Sequence, residues 1–303
     1  MGSSTSAEGA VSPVAGMTDP AAAPCAVLAG GPGCIERRVV ARNAAAASAN
    51  NIHSDDGARA LGYESALVTG NALYCYLAFA ISDGCGPDWL SHAGLTVRFR
   101  APVYDGDRLI ATVAPATDGG GSRLGLGLAK EGANVAAAVG AAWLLAEDPP
   151  DAGRYPRRPL PAEPVLFSEA GVLDSEQLGS LDVVIERADV DAYLVDIGED
   201  ARADAGIVPS AFLARMYAPL MSANLLRPWP SIHVSSDLRH YRQVQAGEQL
   251  SVRGRIDRLF GRRGSRYYVL DMAWVDERDA VVMTALHTAI YRIAQPAASQ
   301  APP

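Results

Sequence analysis

Two long apolar stretches organise the chain, each followed by segments in which apolar and polar residues alternate. Residues 67–82 are apolar on nearly every helical face, a pattern that predicts a helix buried all round. The run GCGPD at 84–88 ends it. Residues 207–226 repeat the pattern, opened by Pro209, which suits a first helical turn. After each helix the period drops to two. In AGLTVRFRA, Leu95, Val97 and Phe99 face one way and Thr96, Arg98 and Arg100 the other, the mark of a half-buried strand. Further strands are predicted at 108–114 and across the hairpin LGLGLAKEGANVAAAVGAAWLLA. In the second half, strands are predicted in HVSSDLRHYRQV, QLSVRGRIDRL, SRYYVLDMAWV and AVVMTALHTAIYRI. A first strand at 35–42 runs into a predicted helical stretch, NAAAASAN, and a short helix, DDGARALG, follows with Ser54 or Asp55 as its N-cap. The second half opens with a strand in LDVVIER and a helix in ADVDAYLVDIG.

The halves align without a gap from His92 and from His233: Arg98 falls on Arg239, Val103 on Val244, Gly106-Asp107 on Gly247-Glu248. Further on, Gly121-Ser122-Arg123 falls on Gly264-Ser265-Arg266. One strand–helix–antiparallel-sheet unit is written twice, which predicts an α+β fold. A curved sheet wrapped round one apolar helix leaves edges and a helix side uncovered; a second copy hides both. The predicted boundaries are a tail at 1–33, a first unit at 34–147, a proline-rich linker at 148–165, a second unit at 166–294 and a tail at 295–303.

Composition narrows the function. A hydrophobic content of 49% supports a full core, and a net charge of −8 argues against a nucleic-acid binder. No apolar run is long enough for a membrane helix, and the N-terminal stretch lacks a basic, apolar signal pattern. Cys25, Cys34, Cys75 and Cys85 show neither C-x-x-C nor zinc spacing, so a disulfide framework and a metal site are not predicted and a reducing cytoplasm is expected. No nicotinamide, flavin or haem motif is present, and Gly119–Gly121 lacks the Lys-Ser/Thr of a phosphate loop, so cofactor-free chemistry is expected.

Candidate chemistry concentrates in 47–70. His53 stands among Asn50, Asn51, Asp55 and Asp56, and Gly70 opens the first buried helix. A proton-transfer group near the free N–H groups of a helix start is a place where a carbonyl oxygen can be polarised. The other histidines read differently: His92 and His233 sit at matching strand starts and are predicted structural, while His240 and His287 are strand-face residues. Asp196 and Glu199 read as a solvated acidic loop, and Arg98, Arg100 and Arg239 as an outer strand face.

Residues 48–55, Ser-Ala-Asn-Asn-Ile-His-Ser-Asp, resemble the hydratase motif Asp-x-Asn-Pro-x-His-x-Asp of MaoC-like (R)-specific enoyl-thioester hydratases, and the whole pattern resembles the double hot-dog fold. The resemblance implies catalytic roles for His53, Asn50 and Asp55, with Ser48 in the place of the family's first Asp, and an acyl-thioester-binding role for Gly70 in LVTGNAL, flanked by Thr69 and with Asn51 in the place of the family's Pro. It implies an acyl-CoA or acyl-carrier-protein substrate, polyketide-like chemistry among the options, and a homodimer as a candidate assembly. A serine hydroxyl is no base on its own, and losing a carboxylate costs ~10² to 10⁴ in rate unless Asp55, Asp56 or Glu36 replaces it. The second half has no such motif. Two other readings stay open: an acyl thioesterase, disfavoured because 67–82 holds no carboxylate, and a cyclase, binding or partner protein of secondary metabolism without hydratase chemistry.

Overall fold

Both halves of the computed structural model build the same five-strand unit. The N-terminal half contains β1 (Ile35–Val40), α1 (Asp55–Ala60), α2 (Gly70–Cys85), β2 (Ala93–Phe99), β3 (Arg108–Pro115), β4 (Arg123–Lys130) and β5 (Ala136–Leu144). The C-terminal half contains β6 (Val165–Leu166), β7 (Leu181–Val184), α3 (Arg187–Asp196), α4 (Ser210–Ala214), α5 (Tyr217–Asn224), β8 (Leu225–Leu226), β9 (Ile232–His240), β10 (Gln249–Arg262), β11 (Ser265–Asp276) and β12 (Val281–Arg292). The structure describes residues 34–116, 123–170, 177–205, 208–226 and 230–294. The expected tails, Cys25 and the 119–121 turn lie outside the described residues.

Among the described residues, ten strands form one sheet in the order β1-β3-β4-β5-β2-β9-β12-β11-β10-β7. Read inward from either edge, the order is the same: first strand, third, fourth, fifth, second. The halves join where β2 meets β9 antiparallel, with Thr96 opposite Asp237. These two residues are also each other's counterparts in the sequence alignment, so a local twofold passes between them. Matching turns confirm the repeat. Gly106 (φ +82°) and Gly247 (φ +93°) take the same left-handed conformation, which favours glycine. Gly106 N–H donates to Ala41 O at 2.9 Å and Gly247 N–H to Ile185 O at 2.8 Å, tying each first strand to the same turn.

Helix α2 is buried on all sides. It starts later than its apolar pattern does, because Thr69 Oγ1 accepts the Ala72 N–H at 3.1 Å and fixes the cap, while Val68 N–H is already spent on Val103 O at 2.9 Å. Gly86, at φ +92°, closes its C-terminus by donating to Ser82 O at 3.0 Å. The polar groups that α2 buries reach into the other half. Asn71 Nδ2 donates to Ala211 O at 2.7 Å, and Tyr76 Oη donates to Ile197 O at 2.9 Å.

Several expectations are corrected. The alanine run 44–49 forms turns, not a helix. An isolated helix this short is unstable without a packing surface, and Asn43 offers a local alternative, with Oδ1 accepting from Ala45 N–H at 3.2 Å. The second apolar helix is broken into α4 and α5 at Arg215–Met216. Pro219 lacks the N–H that would bond the Arg215 carbonyl, so the helix cannot run through. Glu199 is not solvated: it is buried and pairs with Arg37 at 2.5 Å. Arg37 also reaches Asp83 at 3.1 Å, and Arg202 binds both Asp83 and Glu199, so β1, the end of α2 and the loop after α3 share one charged knot. Cys34 and Cys75 are free thiols, whereas Cys85 is disulfide-bonded, against the expectation from cysteine spacing. In the segment expected as a linker, Tyr155 is buried against Ala273, Val275 and Val281.

Candidate functional site

Two cavities meet at the mouth of α2. The smaller, about 250 Å³, is lined mostly by apolar and aromatic side chains, among them Phe99, Tyr217 and Tyr267. The larger, about 460 Å³, runs under the 44–50 turns and along the broken α4–α5 segment. His53, Thr69, Tyr217 and Ser231 line both. His53 therefore stands where the two spaces adjoin.

His53 is the last residue of a single 3-10 turn, Asn51–His53, and is buried. Its Nδ1 lies 2.7 Å from Leu67 O. A carbonyl only accepts, so Nδ1 carries the proton and Nε2 is the unprotonated, basic nitrogen. Desolvation is the larger influence on the ring and lowers its pKa from the ordinary histidine value, against the Leu67 bond, which raises it. The imidazole is thus held neutral, in one tautomer, at the junction of the cavities.

Gly70 lines the smaller cavity and is the first residue of α2. The first N–H groups of a helix have no intrahelical acceptor, and the helix dipole makes that end positive. Thr69 Oγ1 is committed to Ala72, so the Gly70 and Asn71 N–H groups are left without that cap; Gly70 lines the smaller cavity and Asn71 the larger. Glycine is also required sterically: a Cβ at position 70 would stand 2.7 Å from His233 Nδ1 and 2.8 Å from Phe99 Cε2.

The other sequence candidates divide. Asn50 binds Ser231 through both ends of its amide, Nδ2 donating to the carbonyl at 2.7 Å and Oδ1 accepting the N–H at 3.2 Å. Ser48 is exposed at the larger cavity, and its Oγ accepts the Asn50 N–H at 3.0 Å. Asp55 lies outside both cavities. Its Oδ1 accepts from Ala66 N–H at 2.9 Å and its Oδ2 pairs with Arg59 at 2.9 Å, and the Ala66 bond foremost holds its carboxyl below the usual range. Asn51 is exposed and lines neither cavity, and the same holds for Asp56 and Glu36. No carboxylate lines the smaller cavity among the described residues. Ser54 is the cap of α1, accepting from Gly57 N–H at 3.3 Å. No group of three metal-binding side chains occurs among the described residues.

The structure adds residues that the sequence did not mark as functional. His233 lines the smaller cavity, packed edge-on to Phe99 at 4.7 Å and beside His287 at 4.2 Å, with Tyr217 stacked on His287 at 3.9 Å. Ser231 and Tyr217 also come from the C-terminal half. The repeat pointed away from His233 by pairing it with His92, which is exposed and has Nδ1 3.3 Å from Tyr241 O. No feature of the sequence distinguishes which of the two turns inward.

No family model matches the chain, and no curated protein matches it. Solved structures do. A protein described as a MaoC-domain dehydratase from Chloroflexus aurantiacus matches with a TM-score of 0.52 at 15% identity, over 84% of this chain and 95% of that one. One described as an oleoyl thioesterase from Lactobacillus plantarum gives 0.53 at 9% identity, over 89% and 100%. A conserved hypothetical protein from Mycobacterium tuberculosis, described as having a double hot-dog fold, gives 0.53 at 14% identity, over 84% and 96%. At these identities the likeness is one of fold. The chain has the double hot-dog fold, which proteins of more than one named activity share.

Proposed function

We propose that this double hot-dog chain is a MaoC-like hydro-lyase that adds or removes water across the α,β-bond of an acyl thioester without a cofactor, His53 moving the proton. One observation carries the reading: the neutral imidazole of His53, fixed by Leu67 O, presents a basic Nε2 in the cavity that Gly70 at the start of α2 also lines.

With no carboxylate lining the smaller cavity, a single imidazole serves both proton transfers. In the dehydrating direction His53 Nε2 takes the α-proton, and the electron pair moves onto the thioester carbonyl. The enolate oxygen is held by the Gly70 N–H and the positive end of α2. The carbonyl then re-forms, the α,β double bond closes, and the β-hydroxyl departs with the proton from the imidazolium, as water. Hydration is the reverse. Asn50 and Asp55 serve by fixing the loop, and Ser48 fixes Asn50. The acyl chain, linked to coenzyme A or a carrier protein, occupies the apolar cavity.

A thioesterase would set a carboxylate of α2 against the thioester. The one carboxylate of that helix, Asp83, is bound to Arg37 and Arg202 near its far end. The test is a panel of 2-enoyl- and 3-hydroxyacyl-CoA substrates, followed by enoyl absorbance and by solvent deuterium entering the α-carbon. Hydration by the wild type, lost in His53→Ala, is expected. A wild type that neither hydrates nor exchanges on any chain length removes the proposal, and release of free thiol instead would establish the thioesterase.

A further inference from the structure

The repeat gives the two halves matching histidines, and the structure gives them opposite surroundings. His92 is exposed at the end of the 3-10 turn just before β2. His233, its counterpart in β9, is enclosed against Gly70 and Phe99 in the wall of the cavity that holds His53. Its Nε2 lies 2.8 Å from Ser236 Oγ, while its Nδ1 is buried with no hydrogen-bond partner. A buried ring nitrogen left unpaired is costly unless something else meets it. The atom abuts Gly70, where the thioester carbonyl of the proposed substrate is held.

The tautomer follows from the neighbours. Nε2 meets Ser236 Oγ at 2.8 Å, a hydroxyl that can accept its hydrogen, while Nδ1 has no partner. With Nε2 as the donor to Ser236 Oγ, Nδ1 presents a lone pair. What such an atom takes is a donor: a hydroxyl or a water.

We propose that His233 Nδ1 accepts a hydrogen bond from the substrate's β-hydroxyl, or from the attacking water, and holds that oxygen between the two halves of the molecule for His53. This rests on the hydro-lyase reading for its substrate. The second copy of the fold, which lacks the hydratase motif, thereby supplies an acceptor at the smaller cavity, which Ser48 does not line. The hydroxyl keeps its own hydrogen, bonded to Nδ1, and turns a lone pair towards the His53 imidazolium. When the C–O bond breaks, that lone pair takes the imidazolium proton and water leaves; His233 changes neither charge nor proton count. Burial lowers its pKa to about 3, so the ring stays neutral throughout the working range.

Two substitutions separate this role from a packing role. The Oδ1 of His233→Asn replaces an acceptor near Nδ1, whereas the Nε2 of His233→Gln replaces the ring Nε2 that meets Ser236. Calorimetry in a His53→Ala background, where turnover is blocked, compares 3-hydroxybutyryl-CoA with butyryl-CoA. The hydroxy compound is expected to bind about 10- to 100-fold more tightly, the preference surviving in His233→Asn and vanishing in His233→Gln. In the otherwise wild-type enzyme the same pair should keep and lose kcat, with no new limb in the pH profile. No preference for the hydroxy compound, or rescue by Gln and not by Asn, overturns the inference. A preference that depends on His233 in a protein without hydratase activity keeps the inference and removes the proposed reaction; activity without the preference does the opposite.

Discussion

Asn50 and Ser231 grip each other across the two halves: Nδ2 gives a hydrogen to the Ser231 carbonyl at 2.7 Å while Oδ1 takes the Ser231 N–H at 3.2 Å. The side chain imitates a strand partner and closes the loop before His53 onto the approach to β9. Both backbone groups of Ser231 lose their partner in Asn50→Ala, so a destabilisation of about 1–3 kcal/mol is expected in urea unfolding. Asn50→Asp should be no better, because it sets a carboxylate against the Ser231 carbonyl. An unchanged unfolding midpoint in both variants would refute the staple.

His53 sets the pH profile. Its lowered pKa means that the free base persists to more acid pH than an exposed histidine allows. The rate should be flat near neutrality and fall only below pH ~6.5, as the ring finally protonates. His53→Gln, which keeps a donor but no base, should lose ~10² to 10⁴ in kcat. A profile with its acid limb above 6.5 would assign the limb to another group.

Gly70→Ala tests the close approach at the helix start. The added methyl meets His233 Nδ1 at 2.7 Å and Phe99 Cε2 at 2.8 Å, so one or both of these cavity-lining rings must shift. Overpacking of this kind costs about 1–3 kcal/mol. The wall must shift against His53, so kcat/KM should fall more steeply than stability, as thermal melts beside kinetics will show. Equal losses would mean that Gly70 serves packing alone.

The knot of Arg37, Asp83, Glu199 and Arg202 ties the two halves by charge. Removing one member of a buried pair leaves its partner's charge uncompensated, which costs about 3–5 kcal/mol. Glu199→Ala should show most of that, because the Glu199 side chain is 4% exposed, and Asp83→Ala less, because that of Asp83 is 37% exposed. The order of the two unfolding midpoints is the check.

The duplicated architecture could be read from the chain because its markers are local. Gly106 and Gly247 need the same turn, and the strand that starts at His92 aligns residue for residue with the one that starts at His233. The place of His53 was legible for the same reason: it depends on a short turn and a helix start close in sequence. What escaped depends on contacts distant in sequence. Whether Glu199 is solvated turns on Arg37, and whether Asn50 is free turns on Ser231. The break between α4 and α5 hung on Pro219, whose effect inside an apolar run was outweighed by the run itself. His233 was read as structural through its likeness to His92, and a repeat conserves position without conserving surroundings.

Acid stability gives a last prediction, and its sign is fixed by burial. His240, in the core, has its pKa lowered to about 4 by desolvation first and by Arg239 second; that of His233 is lowered to about 3 by desolvation. The unfolded chain protonates both near 6.5, so below that value it binds more protons than the folded chain, and stability present above 6.5 is lost as pH falls. Each ring contributes a slope of about 1.4 kcal/mol per pH unit between 6.5 and its folded value. Carboxylates whose pKa values are lowered, such as Glu248 and Asp276, enter only beneath their ordinary values of 4.5 and 3.8. Asp271, whose carboxyl is pushed up by burial, works in the opposite sense above 3.8 and offsets part of the effect in the lower part of the window. The interval from 6.5 to about 4.5 therefore reports chiefly on the histidines. His240→Gln keeps a polar atom for Tyr74 Oη, which stands 3.1 Å from the ring Nε2, but cannot titrate. The unfolding free energy of the wild type should drop steeply through this interval, and that of His240→Gln should drop with one histidine's slope removed. Parallel curves for the two proteins would mean that the ring is protonated in the folded state.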